Sequence, residues 1–469
     1  MDFPLETEEV VTKTYQISEI DSNRYIAAPT ISSLTLVSNW DELAEASLKD
    51  AVYKVVNLNP ILTGSLVKDA EKNKLTVVSQ THSSFFNVID GPKSFSLPKD
   101  VYGRIVAIHT YVEPLFEILG LPIEQITTGS RLFSVSVCTL PDSHACYIIQ
   151  LSHMIADGAT YYMLLRQLQD FLEGKDASII PQYKWIPSPD NILTSSFYTE
   201  EDIERELNSW RPAFMNLALN QPPRKSSIEM IDTTKLSSYK PGLVLAAARA
   251  QMPVGFLSTN DFITAALAEV LDTDLVEMMA NMRGRIDGVT SDIAANAERG
   301  IFFPRRLAAS SPEYVRSKLM KHFCAWSDSH HMSAYNYAFL ESDFSIITNW
   351  CALVTFVHPK GTEILVHAPA SAFVKADPIN ACIIFKADRK GTIAINHNIR
   401  RDTENFKKRY DNSILFKNII DYDLPTTSPI HDDQSNWIHV KKWIAKLRII
   451  NRWRSQAWGI TNNNNNETK

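Results

Sequence analysis

This 469-residue sequence has no long apolar run. None of its apolar stretches approaches the ~20 residues of a membrane-crossing helix, which excludes an integral helical membrane protein. It also lacks an excess of positive charge. Lys and Arg number 47 against 53 Asp and Glu, for a net charge of −6. That balance argues against a generally basic nucleic-acid binder, and no nucleic-acid partner is expected. Cysteine is scarce: Cys138, Cys146, Cys324, Cys351 and Cys382 are odd in number and form no C-x-x-C pair. A reduced intracellular protein is the economical reading. Cys138 and Cys146 lie in apolar strand-like runs and read as plain buried thiols. No apolar signal core follows MDFPLETEEVV, residue 2 is Asp, and NETK carries no prenylation motif. Cytoplasmic location is therefore the expectation. Missing too are G-x-S-x-G, a P-loop, G-x-G-x-x-G and H-E-x-x-H, which removes the hydrolase elbow, the common nucleotide cradles and the zincin site. His322, His330 and His331 do not replace the last, because adjacent histidines on a helix point about 100° apart. They read as surface residues, and no metal is expected.

What is present is ordinary globular composition, 45% apolar and 21% charged, over a length that suggests about two or three domains. Residues 43–57 repeat apolar side chains at helical spacing. The runs 132–140 and 145–152 are strand-like, and the PDSH turn between them predicts a hairpin. A helix is predicted over 159–173 from Tyr161, Leu164, Leu165, Leu168, Phe171 and Leu172. Residues 175–193 hold three prolines and no clear period. Further on, helical 244–251 precedes Ser258, the N-cap of an apolar helix in a capping-box variant with Asp261. Strands are predicted at 274–282, 351–358, 363–368, 381–386 and 391–396, and helices at 312–323, 330–341 and 403–420. Strands and helices mix in both halves, which argues for two α/β units.

The string Ser152-His153-Met-Ile-Ala-Asp157-Gly158 carries the most chemistry. A histidine ends a buried-looking strand, an aspartate follows four residues on, and a glycine permits a sharp turn into a helix. An imidazole so placed can reach into a cleft and accept a proton. The aspartate, paired with a cation, would hold the turn that aims it. A capped helix with a partly buried histidine is the competing reading of so short a pattern.

The string resembles the H-x-x-x-D-G signature of the CoA-dependent acyltransferase superfamily, which includes BAHD enzymes, alcohol acetyltransferases, chloramphenicol acetyltransferase and peptide-synthetase condensation domains. Asn281-Met-Arg283-Gly-Arg285 is similar to that family's N-x-R-x-R segment, Asn296-Ala297 to a degenerate F-G-N loop, and Thr348-Asn349-Trp350 to its T-x-W strand. The resemblance spans about residues 15–430. D-F-G-W-G of plant BAHD enzymes is missing, which points to a microbial or fungal alcohol acyltransferase type.

The resemblance implies two similar chloramphenicol-acetyltransferase-like α/β domains with the active-site channel between them. The implied boundaries are residues 1–187, a crossover at 188–222, residues 223–436, and a tail at 437–469. It implies His153 as general base, Asp157 paired with Arg283 (Arg285 second), and Trp350 stabilising an oxyanion through its indole N–H. Thr348 and Asn349 would lie on the acceptor side, and Gly158 and Asn281 would support the turn. Acyl-CoA would be a co-substrate, with no resident cofactor, a small natural-product or lipidic alcohol the acceptor, and the protein a monomer. Carrier-linked condensation or N-acylation, and a non-catalytic binding protein, are the alternatives. Residues 437–458 hold six basic residues and no acidic one. As a helix the segment suits either peripheral membrane contact or docking on the protein's own body. Asn462 to Asn466 form a low-complexity run.

Overall fold

The computed structural model describes residues 13–18, 30–69, 74–79, 85–120, 122–187, 225–230, 256–271, 273, 275–285, 288–309, 311–324, 344–370, 380–399, 408 and 420–421. The predicted helices over 244–251 and 330–341, most of 403–420, the whole 188–222 crossover, and the basic tail lie outside these residues.

The first half is built on a five-stranded sheet. Four of its strands, in chain order, are β1 (Ile31–Ser38), β2 (Phe86–Asp90), β3 (Phe133–Leu140) and β4 (His144–Leu151). β1 pairs antiparallel with β4, β4 antiparallel with β3, and β3 parallel with β2. The PDSH turn joins β3 to β4, with Asp142 and Ser143 both at positive φ. Helix α1 (Glu42–Leu58) starts at Asp41, whose carboxylate accepts from the Ala44 N–H at 2.8 Å. It packs against α2 (Gly158–Leu172). Leu48, Val52 and Val55 of α1 and Tyr161, Leu165 and Leu168 of α2 share one core with Val135, Tyr147 and Ile149 of the sheet. Both faces of β4 are covered, so it reads as a near-continuous apolar run instead of an alternation.

The second half carries a seven-stranded sheet. Helix α3 (Thr259–Val270) opens it with the reciprocal Ser258–Asp261 capping box. Then come β5 (Leu275–Asn281), β6 (Glu298–Pro304), helix α4 (Pro312–Cys324), β7 (Phe344–Asn349), β8 (Glu363–Pro369), β9 (Asn380–Lys386) and β10 (Ile393–Ile399). The spatial order is β6-β5-β7-β9-β10, then Lys225–Met230 and Ile420–Asp421. β8 leaves this sheet and adds antiparallel to β1, becoming an edge of the first sheet.

A strand at 351–358 does not form. β7 ends earlier, at Asn349, whose side-chain oxygen accepts from the Cys351 N–H at 2.9 Å. The Leu353 N–H then turns back to the Trp350 carbonyl at 2.8 Å. The β-branched content of 354–357 was outweighed by this side-chain stop signal. Among the described residues, no helix is long and apolar enough to cross a membrane.

Candidate active site

β4 delivers the chain to His153, two residues past Leu151, and Asp157 then caps α2 by accepting from the Thr160 N–H at 2.7 Å. Helix and strand are both buried, so the short turn between them has little room to move. The second half reaches this turn with the connection from β5 to β6. Arg283 donates from Nη1 to Asp157 Oδ2 at 2.8 Å and from Nη2 to Oδ1 at 3.1 Å. Its Nε donates to the Ile293 carbonyl at 2.8 Å, and Nη2 also to Thr160 Oγ1 at 2.7 Å and the Ala295 carbonyl at 2.9 Å. Asn281 Oδ1 accepts from the backbone and Nη1 of Arg283, each at 3.1 Å. The planar fork matches the carboxylate two bonds at a time, and only arginine does this.

Burial alone would raise the Asp157 carboxyl. The Arg283 charge and hydrogen bonds, with those from the Thr160 and Ala297 backbone, overcome it and hold the group below the ordinary carboxylate range. Asp157 is thus ionised and fully engaged. Thr160 shows the same economy. Its hydroxyl donates to the Ala295 carbonyl at 2.7 Å and accepts from the Ala295 N–H at 3.1 Å.

His153 is 7% exposed and has a different neighbour on each ring nitrogen. Nδ1 lies 3.2 Å from Asn296 Oδ1. The Asn296 amide nitrogen donates to the His153 carbonyl at 2.9 Å and the Met154 carbonyl at 3.4 Å. Flipping the amide would set its oxygen against two carbonyl oxygens, so Oδ1 must face the ring as acceptor. Nδ1 therefore carries the hydrogen in the neutral ring, and Nε2 keeps the lone pair. On the Nε2 side, Glu298 Oε1 stands 3.9 Å away. The arrangement can take a proton at Nε2 while Asn296 fixes the ring.

Gly158 is placed by packing, not by a left-handed turn. A Cβ there would lie 3.2 Å from Trp350 Nε1 and 3.6 Å from its Cε2. Its φ is not among the positive values of the chain's glycines. Trp350 is buried in the first half's core, edge-on to Tyr162 with ring centroids 5.8 Å apart. His153, Asp157, Gly158, Asn281, Arg283 and Trp350 are therefore gathered around one turn. Three other residues sit elsewhere. Arg285 is exposed, and desolvation together with the Arg316 charge lowers its pKa. Asn349 donates to Asn260 Oδ1 at 2.7 Å as it stops β7. Thr348 is half-buried on β7, in register with Met279 and Ile383.

Asn296 was visible in the sequence only as part of a loop, and Glu298 carried no signal. Its approach depends on the β5–β6 register, where Glu298 opposes Asn281. Among the described residues, no group of three or more His, Cys, Asp or Glu converges to hold a metal. The His330 and His331 positions lie outside them.

No protein-family model and no curated protein matches the chain. Solved structures share its fold. The F. sporotrichioides TRI101 complexed with coenzyme A and T-2 is 12% identical, with a TM-score of 0.55 over 86% of this chain and 99% of that one. Vinorine synthase is 15% identical, with a TM-score of 0.51 over 86% and 93%. The first condensation domain of the CDA synthetase is 10% identical, with a TM-score of 0.53 over 83% and 91%. The chain thus shares the mixed α/β fold of these structures over most of its length.

Proposed function

We propose that the protein transfers an acyl group from a CoA thioester to the hydroxyl of a small-molecule alcohol, with His153 as general base. The observation that carries this reading is the ring held at Nδ1 by Asn296, which leaves Nε2 as the proton acceptor. The fold supports it, since structures sharing it are complexed with coenzyme A and T-2, and with C8-CoA.

In this reading both substrates are bound together. The acceptor oxygen attacks the thioester carbonyl carbon as its proton passes to Nε2. The tetrahedral oxyanion is stabilised by N–H donors, for which Trp350 Nε1 is the candidate. Collapse breaks the C–S bond, and the thiolate takes the proton from Nε2 to leave as CoA. The nucleophile is the acceptor itself, so no acyl-enzyme forms. Asp157 and Arg283 touch no substrate; they fix the turn.

Thiol release from acetyl-CoA and longer acyl-CoAs with a panel of alcohols and amines tests the reading. Acceptor-dependent release is expected from the wild type. A loss of about 10²–10⁴-fold is expected in His153→Ala. Undiminished turnover in that variant would remove His153 from the role.

A further inference from the structure

We infer that Glu298 selects the acceptor: its carboxylate reads a second hydrogen-bond donor, a hydroxyl or ammonium group on the carbon adjacent to the one that bears the attacking oxygen. This rests on the acyl-transfer reading of the same site.

The geometry comes from two distances and one strand. An attacking oxygen must come within about 3 Å of His153 Nε2. Glu298 Oε1 is 3.9 Å from that same nitrogen. An acceptor that enters from the Glu298 side of the ring brings the substituents next to its attacking oxygen within hydrogen-bond reach of the carboxylate. At 3.9 Å the contact is too long for a hydrogen bond that would orient the imidazole. Asn296 already does that from the opposite edge.

The Glu298 side chain is 15% exposed, so it is largely shielded from bulk solvent. An ionised carboxylate only accepts hydrogen bonds. An O–H or N–H placed against it gains a charge-assisted hydrogen bond that a methylene cannot supply. Nor can the strand easily withdraw. Glu298 opposes Asn281, the neighbouring Ala297 carbonyl accepts from the Met282 N–H at 2.8 Å, and Ala297 N–H is bound to Asp157. Sites built to bond a polar group discriminate strongly against analogues lacking it.

The test uses three acceptors on one ring: cyclohexanol, trans-1,2-cyclohexanediol and trans-2-aminocyclohexanol. For each, kcat/KM is measured with acetyl-CoA for the wild type, Glu298→Gln and Glu298→Leu. The wild type is expected to favour the diol and the amino alcohol over cyclohexanol by about tenfold or more. Glu298→Leu should bring the three within about twofold of one another. The isosteric Glu298→Gln should keep the diol preference and lose that for the ammonium. A uniform fall for all three acceptors in both variants would overturn the inference, because it would make Glu298 an electrostatic helper of His153. A wild type indifferent to the second donor would overturn it equally. No CoA release by the wild type with any acceptor would instead overturn the acyl-transfer reading itself, and the selection with it.

Discussion

Asn296 commits both ends of its amide to the residue it serves, donating to the His153 carbonyl and accepting from the ring. That double grip links the backbone of the turn to the tautomer of the imidazole. Asn296→Ala should leave acyl-CoA binding near the wild-type value and lower kcat by about ten- to a hundredfold, since the ring would lose its orienting partner. Steady-state kinetics with acyl-CoA varied check this. A change in KM for acyl-CoA alone would assign Asn296 to ligand binding instead. The residue scale also marks the limit of what could be read from the chain. His153, Asp157 and Gly158 lie within six positions, so one strand-turn-helix places them all, and a short string exposes them. Asn296 and Glu298 lie more than a hundred residues away along the chain. Their approach is set by how the β5–β6 connection seats on the start of α2, and no local pattern encodes that.

Among elements, the start of α2 is closely packed against an aromatic side chain. Glycine at its first position lets the Trp350 indole close over the helix end. Gly158→Ala gains up to about 1 kcal/mol of helix propensity. It also forces the indole to give way, and overpacking of a buried aromatic costs about 1–3 kcal/mol. The balance should be a net loss of about 1 kcal/mol, read as a lower denaturant midpoint with an unchanged slope. A stabilised variant would show that Trp350 moves freely. The sequence exposes elements whose signals are local, such as the β3–β4 hairpin around PDSH, α2 with its apolar stripe, and the Ser258–Asp261 box. It does not expose the early end of β7, where a single Asn349 side chain overrides several β-branched residues. Nor does it reveal that β8, although strand-like, would join the sheet of the other half.

Over the whole molecule, β8 is the tie between the halves. Its backbone pairs with β1, and the His367 N–H donates to the Ala387 carbonyl at the β9–β10 hairpin at 2.8 Å. The His367 side chain completes the tie. Nδ1 is 2.9 Å from Thr35 Oγ1 on β1, and Nε2 is 3.0 Å from the Tyr162 hydroxyl on α2. Two hydroxyls satisfy a neutral ring, and burial pushes its pKa down from 6.5 to about 4. The unfolded chain therefore binds a proton between those values that the folded protein refuses. The stabilisation is fully present above about pH 6.5 and is lost as pH falls toward about 4. At pH 4.5 the loss relative to pH 7 is on the order of 2 kcal/mol. His367→Gln removes the titrating ring while keeping a polar side chain in the gap. It should lower stability at pH 7 and lose less on going to pH 4.5 than the wild type does. Denaturant midpoints of both proteins at the two pH values measure the difference directly. Equal losses in the two proteins would mean that His367 is protonated without cost, and that the tie between the halves holds through its backbone pairing alone.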